Sequence, residues 1–281
     1  MLPPKPPKLT HPLKLKSVYI GAMCIGYDGI MTNMLKTHPM ERIELDYSEK
    51  FISREKFSEF IASLPQTGRQ LKSLCLPENI ELNKESLEYI FESCVNLEEF
   101  GMPYCDLLNS SPSLADYFSN NLAPSILKLD LCGVENYDDN ALCKLAKRCQ
   151  KLQTLDIRGT KVTWYGLSAI LDNLPCLEYL ALPSKIGKEL GLENEIDILK
   201  MEKLRSMKQL KCLLIDRITV NGFGHLRYHE ILAKEMPQLL RPENAYFYVG
   251  GIDDSGRKKV EFLPPTLGIR QELVLLESES E

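Results

Sequence analysis

Apolar positions along this chain follow two alternating periods. Between Ala141 and Leu182 one full cycle is visible: Leu142, Leu145, Ala146 and Cys149 fall at helical spacing, which gives a short helix a single apolar face. Leu152, Leu155 and Ile157 follow in an L-x-x-L-x-L arrangement, and its last two members point the same way from a strand. Arg158, Gly159 and Thr160 turn the chain. Leu167, Ile170, Leu171 and Leu174 then begin a second helix, and Leu177, Leu180 and Leu182 reuse the strand spacing. The same signature opens at Leu15, Met40, Leu71, Leu97, Ile126, Leu152, Leu177 and Leu210. Successive starts lie roughly 25 to 33 residues apart, the period of a stacked repeat in which each unit buries its apolar face on its neighbours.

This is the spacing of a leucine-rich repeat. The fold it predicts is α/β: a horseshoe-shaped solenoid with parallel β-strands on the concave face and helices on the convex face. The array is expected over residues 13–236, in about eight repeats. Asp28–Lys36, Glu85–Val95 and Ser113–Leu122 read as helices, the last after a loop at Asn109–Pro112. Phe57, Phe60, Ile61 and Leu64 mark a helix entered at an N-cap Ser53 and ended by Pro65. The longest insertion, Pro183–Met207, carries Ile196, Leu199, Leu204 and Met207 at helical spacing. After Leu210 the pattern fades into a helix from His225 to Met236, stopped by Pro237. Repeat arrays need an atypical end unit, and residues 237–270 are read as that cap. Within it, Tyr246–Val249 and Lys259–Phe262 flank Gly250-Gly251 and Asp254-Ser255-Gly256 as a hairpin.

Both ends are polar. Residues 1–12 form a Pro/Lys-rich tail in which Pro3 and Pro6 make a PxxP match of the kind SH3 domains bind, although a composition this rich in proline produces such a match in any short solvated tail. Residues 271–281 form an acidic tail. The N-terminal residues lack the apolar core of a secretory signal, and no stretch approaches the apolar length of a membrane span. Nine cysteines, spread at repeat-related positions rather than in close pairs, point to reduced thiols and to the cytoplasm or the nucleus. A net charge of −5 gives no support to a nucleic-acid surface, so neither nucleic acid nor membrane is an expected partner.

No catalytic constellation, metal site or cofactor loop emerges, and the chain is not expected to be an enzyme. Cys94 and Cys149 each stand three residues before the opening leucine of a strand, and Cys105 stands three after Met102. These are places for a small buried thiol, and cysteines a whole repeat apart form a line rather than a zinc site. His225 and His229 share a helix face, but no glutamate of an HExxH motif lies between them. The glycines at Gly222, Gly224, Gly250 and Gly251 do not stand between a strand and a helix as phosphate loops do.

Binding chemistry falls instead on the strand positions that alternate with the core leucines and face the concave surface. The candidates for holding a protein partner there are Arg42, Glu44, Asp46, Glu99, Lys128, Asp130, Asp156, Arg158 and Tyr179. With Asp216 included, acids outnumber bases six to three along these strands. Such a track favours a protein ligand carrying Lys or Arg.

The stretch Asp139-Asn140-Ala141-Leu142-Cys143-Lys144-Leu145-Ala146-Lys147-Arg148-Cys149-Gln150-Lys151-Leu152-Gln153-Thr154-Leu155-Asp156-Ile157 resembles the cysteine-containing subtype of the repeat. Val162-Thr163-Trp164-Tyr165-Gly166-Leu167 resembles the I-T-D-x-G-L that follows, with Trp164 in place of Asp, and Cys94 to Leu97 resembles the C-x-x-L junction. Repeats of this subtype are similar to those of F-box/LRR proteins, the substrate receptors of SCF ubiquitin ligases. The resemblance implies a substrate held on the concave face and, as a second partner, a cullin-ligase adaptor recruited by an F-box. No F-box-like helical module is read ahead of the array. Two functions therefore stand side by side: the substrate-binding component of such a ligase, promoting ubiquitination and degradation, and a stand-alone leucine-rich scaffold or assembly factor.

Overall fold

The computed structural model describes residues 16–20, 40–45, 54–76, 81–107, 112–191, 196–215, 236, 247–252 and 258–262. The eight strand signatures form one sheet. β1 (Ser17–Ile20), β2 (Arg42–Leu45), β3 (Ser73–Cys75), β5 (Glu99–Gly101), β7 (Lys128–Asp130), β8 (Thr154–Asp156), β9 (Tyr179–Leu182) and β10 (Cys212–Ile215) lie side by side in chain order, and every adjacent pair is parallel. The register places Val18, Ile43, Leu74, Phe100, Leu129, Leu155, Leu180 and Leu213 in a single row across the sheet. From Ile43 onward that row is buried, and it belongs to one continuous core that runs from Met40 to Met236.

Between the strands run α1 (Arg54–Thr67), α2 (Lys84–Ser93), α3 (Pro112–Asn121), α4 (Asp139–Arg148), α5 (Trp164–Asn173), α6 (Ser184–Glu189) and α7 (Ile198–Arg205). The helices start where a polar side chain satisfies an otherwise orphaned backbone donor. Asn83, Asp138, Thr163 and Asp197 accept from the backbone N–H of Ser86, Ala141, Tyr165 and Lys200. They stop by a device repeated from unit to unit. Cys94, Cys149 and Leu174 leave the helical region while their N–H groups still donate to Ile90, Leu145 and Ile170. Three residues on, the opening leucine of the next strand donates back to the cap carbonyl: Leu97 to Cys94, Leu152 to Cys149 and Leu177 to Leu174, at 3.0–3.3 Å. The cap residue thus turns inward, which is why Cys94 and Cys149 are buried in the core.

The structure differs from the sequence reading in three places. Pro65 does not end its helix: α1 continues to Thr67, at the cost of the one intrahelical bond that a proline, with no N–H, cannot donate. In the insertion, α7 buries Met201 and Leu204 but leaves Leu199 exposed. Leu199 precedes Met201 by two residues, which puts it on the opposite side of a helix with about 3.6 residues per turn. Finally, the two-residue strands β4 (Glu81–Leu82) and β6 (Asp106–Leu107) make a small second parallel sheet, for which no periodicity in so short a stretch gives a signal. β11 (Phe247–Ile252) and β12 (Lys258–Phe262) pair antiparallel over the segments read as a hairpin, with a register shift between Val249 and Ile252. The tails 1–12 and 271–281, the helix read at Asp28–Lys36, the N-cap Ser53 and the pair His225 and His229 lie outside the described residues, as does the helix read from His225 except for its last residue, Met236.

Candidate protein-binding face

Two rows of side chains flank the core row on the concave side. The register aligns Arg42, Ser73, Glu99, Lys128, Thr154 and Tyr179 in the first row. It aligns Glu44, Cys75, Gly101, Asp130, Asp156 and Ala181 in the second, and Arg158 stands two residues past Asp156 at the rim. The candidate residues picked out in the sequence therefore come together on one surface, except that Asp46 and Asp216 lie outside the described residues.

The charges on that surface are paired across strands, and this changes the acidic track. Glu99 sits between two bases: its Oε1 is 2.7 Å from Lys128 Nζ and its Oε2 is 2.8 Å from Arg42 Nη2. Arg42 belongs to β2 and Glu99 to β5, so the guanidinium crosses over β3. It can do so because Ser73, the residue beneath it in the register, is small and buried. In the second row Asp156 is buried and holds Arg158 by a fork of hydrogen bonds of 2.7–3.1 Å from Nε and Nη2. The Asp156 Oδ1 also accepts the backbone N–H of Arg158 at 3.0 Å, and in the preceding repeat the Asp130 Oδ1 accepts that of Cys132 at 2.9 Å. These two aspartates therefore close the turn that follows their strands, a local device that aspartate favours. A count of acids and bases along the strands misses both kinds of bond, and the first row is net basic among the described residues.

Burial pushes the Glu99 carboxyl upward, but the Lys128 hydrogen bond and charge, the Arg42 charge and the Ser73 hydroxyl outweigh it and hold the group below its ordinary range. The folded value is thus lower than the unfolded one, so the unfolded chain takes up the proton first as the pH falls. The stabilisation from this group is complete above the ordinary glutamate range and is lost as the pH drops through the lowered folded value. Chemical unfolding between neutral pH and about pH 3 should accordingly show Glu99→Gln with a shallower loss of stability than the wild-type chain. Equal slopes would mean that the network does not hold the proton off.

The thiols fit a packing role. Burial pushes Cys94 up to about 12 and Cys149 to about 11. Cys132 is also raised to about 12, by burial first and then by the Asp156 and Asp130 charges, against Arg158 and a hydrogen bond with Tyr104. Among the described residues no group of three or more His, Cys, Asp and Glu side chains could hold a metal ion, and no helix is long and apolar enough to cross a membrane.

One rim residue had a usable signal that the leucine pattern hides. Tyr104, Gly133 and Gly159 each stand three residues past the end of their strand, and all three have a positive φ, of 52°, 71° and 69°. Aligning the repeats on this turn, rather than on the leucines, exposes a tyrosine where its neighbours have glycine.

Repeat, register and core together give this chain the leucine-rich-repeat fold. No protein-family model matches it. It is 28% identical over 163 residues to the putative F-box/LRR-repeat protein 23 of Arabidopsis thaliana; the match takes in 55% of this chain and 34% of that protein, so the chain spans about a third of its relative. Among solved structures, the yeast Rad7–Elc1 complex contains a chain that aligns with a TM-score of 0.50 at 14% identity, over 74% of this chain and 50% of that one. The actin-binding site 2 of leiomodin-1 aligns over 55% of this chain and 89% of that one, with a TM-score of 0.38 and 15% identity.

Proposed function

We propose that this chain is the substrate-binding component of an SCF-type ubiquitin ligase, holding a protein on its concave face so that it is ubiquitinated and degraded. The observation that carries the reading is the concave sheet itself: two in-register rows of side chains that hold the Arg42–Glu99–Lys128 and Asp156–Arg158 ion pairs above a continuous leucine core. A surface ordered before its partner arrives loses little entropy on binding. The homology with a protein named for its F-box and repeats directs the proposal toward a ligase, and Rad7, which shares the fold, is found in complex with a second protein. In this reading the chain binds and does not catalyse, takes no cofactor, and works in the cytoplasm or the nucleus, where its thiols stay reduced.

Affinity purification of the tagged full chain from its native cells, with the bound proteins identified by mass, tests this. Recovery of a cullin and its adaptor together with a candidate substrate is expected. Reproducible recovery of other proteins with no cullin would replace the ligase with a stand-alone scaffold or assembly factor.

A further inference from the structure

Because the strands are parallel, the segments that lead from each helix into the next strand line up along one edge of the array. For β7, β8 and β9 these segments are residues 122–127, 149–153 and 174–178. The middle segment and the helix turn before it carry Lys147, Arg148 and Lys151, all exposed. The residues beside them on the flanking units are uncharged: Asn121, Ala123 and Pro124 on one side, Pro175 and Cys176 on the other. The two carboxylates of this stretch of the edge are already held by other lysines, Asp172 by Lys203 at 3.0 Å and Glu178 by Lys211 at 2.7 Å. Lys147, Arg148 and Lys151 make no ion pair with any described residue. Three positive charges are therefore left over on one connection.

A helix C-terminus favours basic residues, but this does not account for the cluster. The last turns of α1, α2, α3 and α5 contain none, and Lys151 lies past the end of α4. The same helix pairs its other lysine, Lys144, with Asp116 at 2.6 Å. Arg148 is also fixed in place, because its Nε donates to the Leu122 carbonyl just past the end of α3. That bond orders the side chain and leaves both Nη groups without a described partner, so an anchored guanidinium fork faces solvent between two lysines.

We propose that this edge is a second docking surface, which receives an acidic segment of a protein partner: one carboxylate in the Arg148 fork, and others beside Lys147 and Lys151. The surface goes beyond the concave face and does not depend on it, since its residues precede β8 rather than belong to it. Nucleic acid fits less well. The cluster sits on a single helix–strand connection of a chain with net charge −5, whereas a phosphate backbone is held by cations spread along its length.

The test uses a displayed library of random twelve-residue peptides. The library is first cleared on the full chain carrying Lys147→Gln and Lys151→Gln, whose side chains make no described bond, and then selected on the unchanged chain at low salt. The recovered peptides should share two or more Asp or Glu residues. The best of them, resynthesised with a fluorophore and followed by anisotropy, should bind the double variant about tenfold more weakly, the loss of two exposed ion pairs. Arg148→Lys keeps the charge but not the fork, and should also weaken binding several-fold. Lys161→Gln with Lys188→Gln removes the same charge from exposed positions elsewhere and should leave binding within about twofold. An equal loss in that control would show a response to net charge alone and overturn the site. So would a selection that yields no acidic peptide, or binding lost with Arg42→Gln and Lys128→Gln but not with Arg148→Lys, which would move the acidic segment to the concave face. A twelve-nucleotide single-stranded DNA that binds more tightly than the peptide through the same residues would overturn the assignment to a protein partner.

Discussion

Truncating Leu155 to alanine is expected to lower the stability of the array by about 2–5 kcal/mol. Leu155 is buried at the middle of the core row, between Leu129 on β7 and Leu180 on β9. Both neighbouring strands are tied to β8 by the parallel ladder, and the ladder continues past the strand where Leu131 donates to Asp156 and Ile157 to Ala181. With the backbone pinned on both sides, the site cannot collapse to fill the space, so the transfer loss and the cavity cost both apply. Leu199→Ala provides the contrast. That side chain is 78% exposed, and its truncation should change stability by no more than about 0.5 kcal/mol. Denaturant midpoints followed by circular dichroism separate the two. Equal effects at Leu155 and Leu199 would mean that the strand register is wrong.

That contrast also shows what the sequence made legible. Strand leucines are readable because each buries alone, and its spacing to the next repeat is set by the chain. The sheet, its order and the in-register rows follow from that spacing. A short helix is harder, because two or three apolar residues fit more than one rotation. Leu199 and Met201 compete for the inward side of α7, and only packing against the previous repeat decides. The concave face was legible as a list of positions, but not in its electrostatics. The Glu99 network joins residues on strands separated by another strand, and it depends on Ser73 being small enough to pass beneath Arg42. No formal charge count contains that geometry. The turn-closing roles of Asp130 and Asp156 are local, and the aspartate that ends each of these two strands carried them in plain view.

Replacing Asp139 with alanine should have a comparable effect by a different route. Asp139 opens α4, yet its carboxylate serves the next helix: Oδ1 accepts from the N–H of Thr163 at 2.7 Å and of Gly166 at 3.1 Å, and Oδ2 accepts from the Thr163 hydroxyl at 2.6 Å. Gly166 has no side chain at the point where a Cβ would overlap that carboxylate. The next repeat cannot repeat the clamp, since Trp164 stands at the position equivalent to Asp139; there the Trp164 N–H donates to Glu189 and its ring carries Lys200 at 5.8 Å. Asp139→Ala leaves two backbone donors at the start of α5 without their charged acceptor, a loss of about 2–4 kcal/mol. In a solenoid that loss falls on one nearest-neighbour interface and should divide the array rather than lower it uniformly. Trp164 is the only tryptophan in the chain and sits on the C-terminal side of the break. Its fluorescence should therefore change at lower denaturant than the circular dichroism of the whole chain in the variant, while the two coincide in the wild type. Gly166→Ala should divide the array in the same way, and the double variant should cost little more than either single change, because both remove the same bonds. Coincident transitions and an unchanged midpoint in Asp139→Ala would show that leucine packing alone couples these repeats.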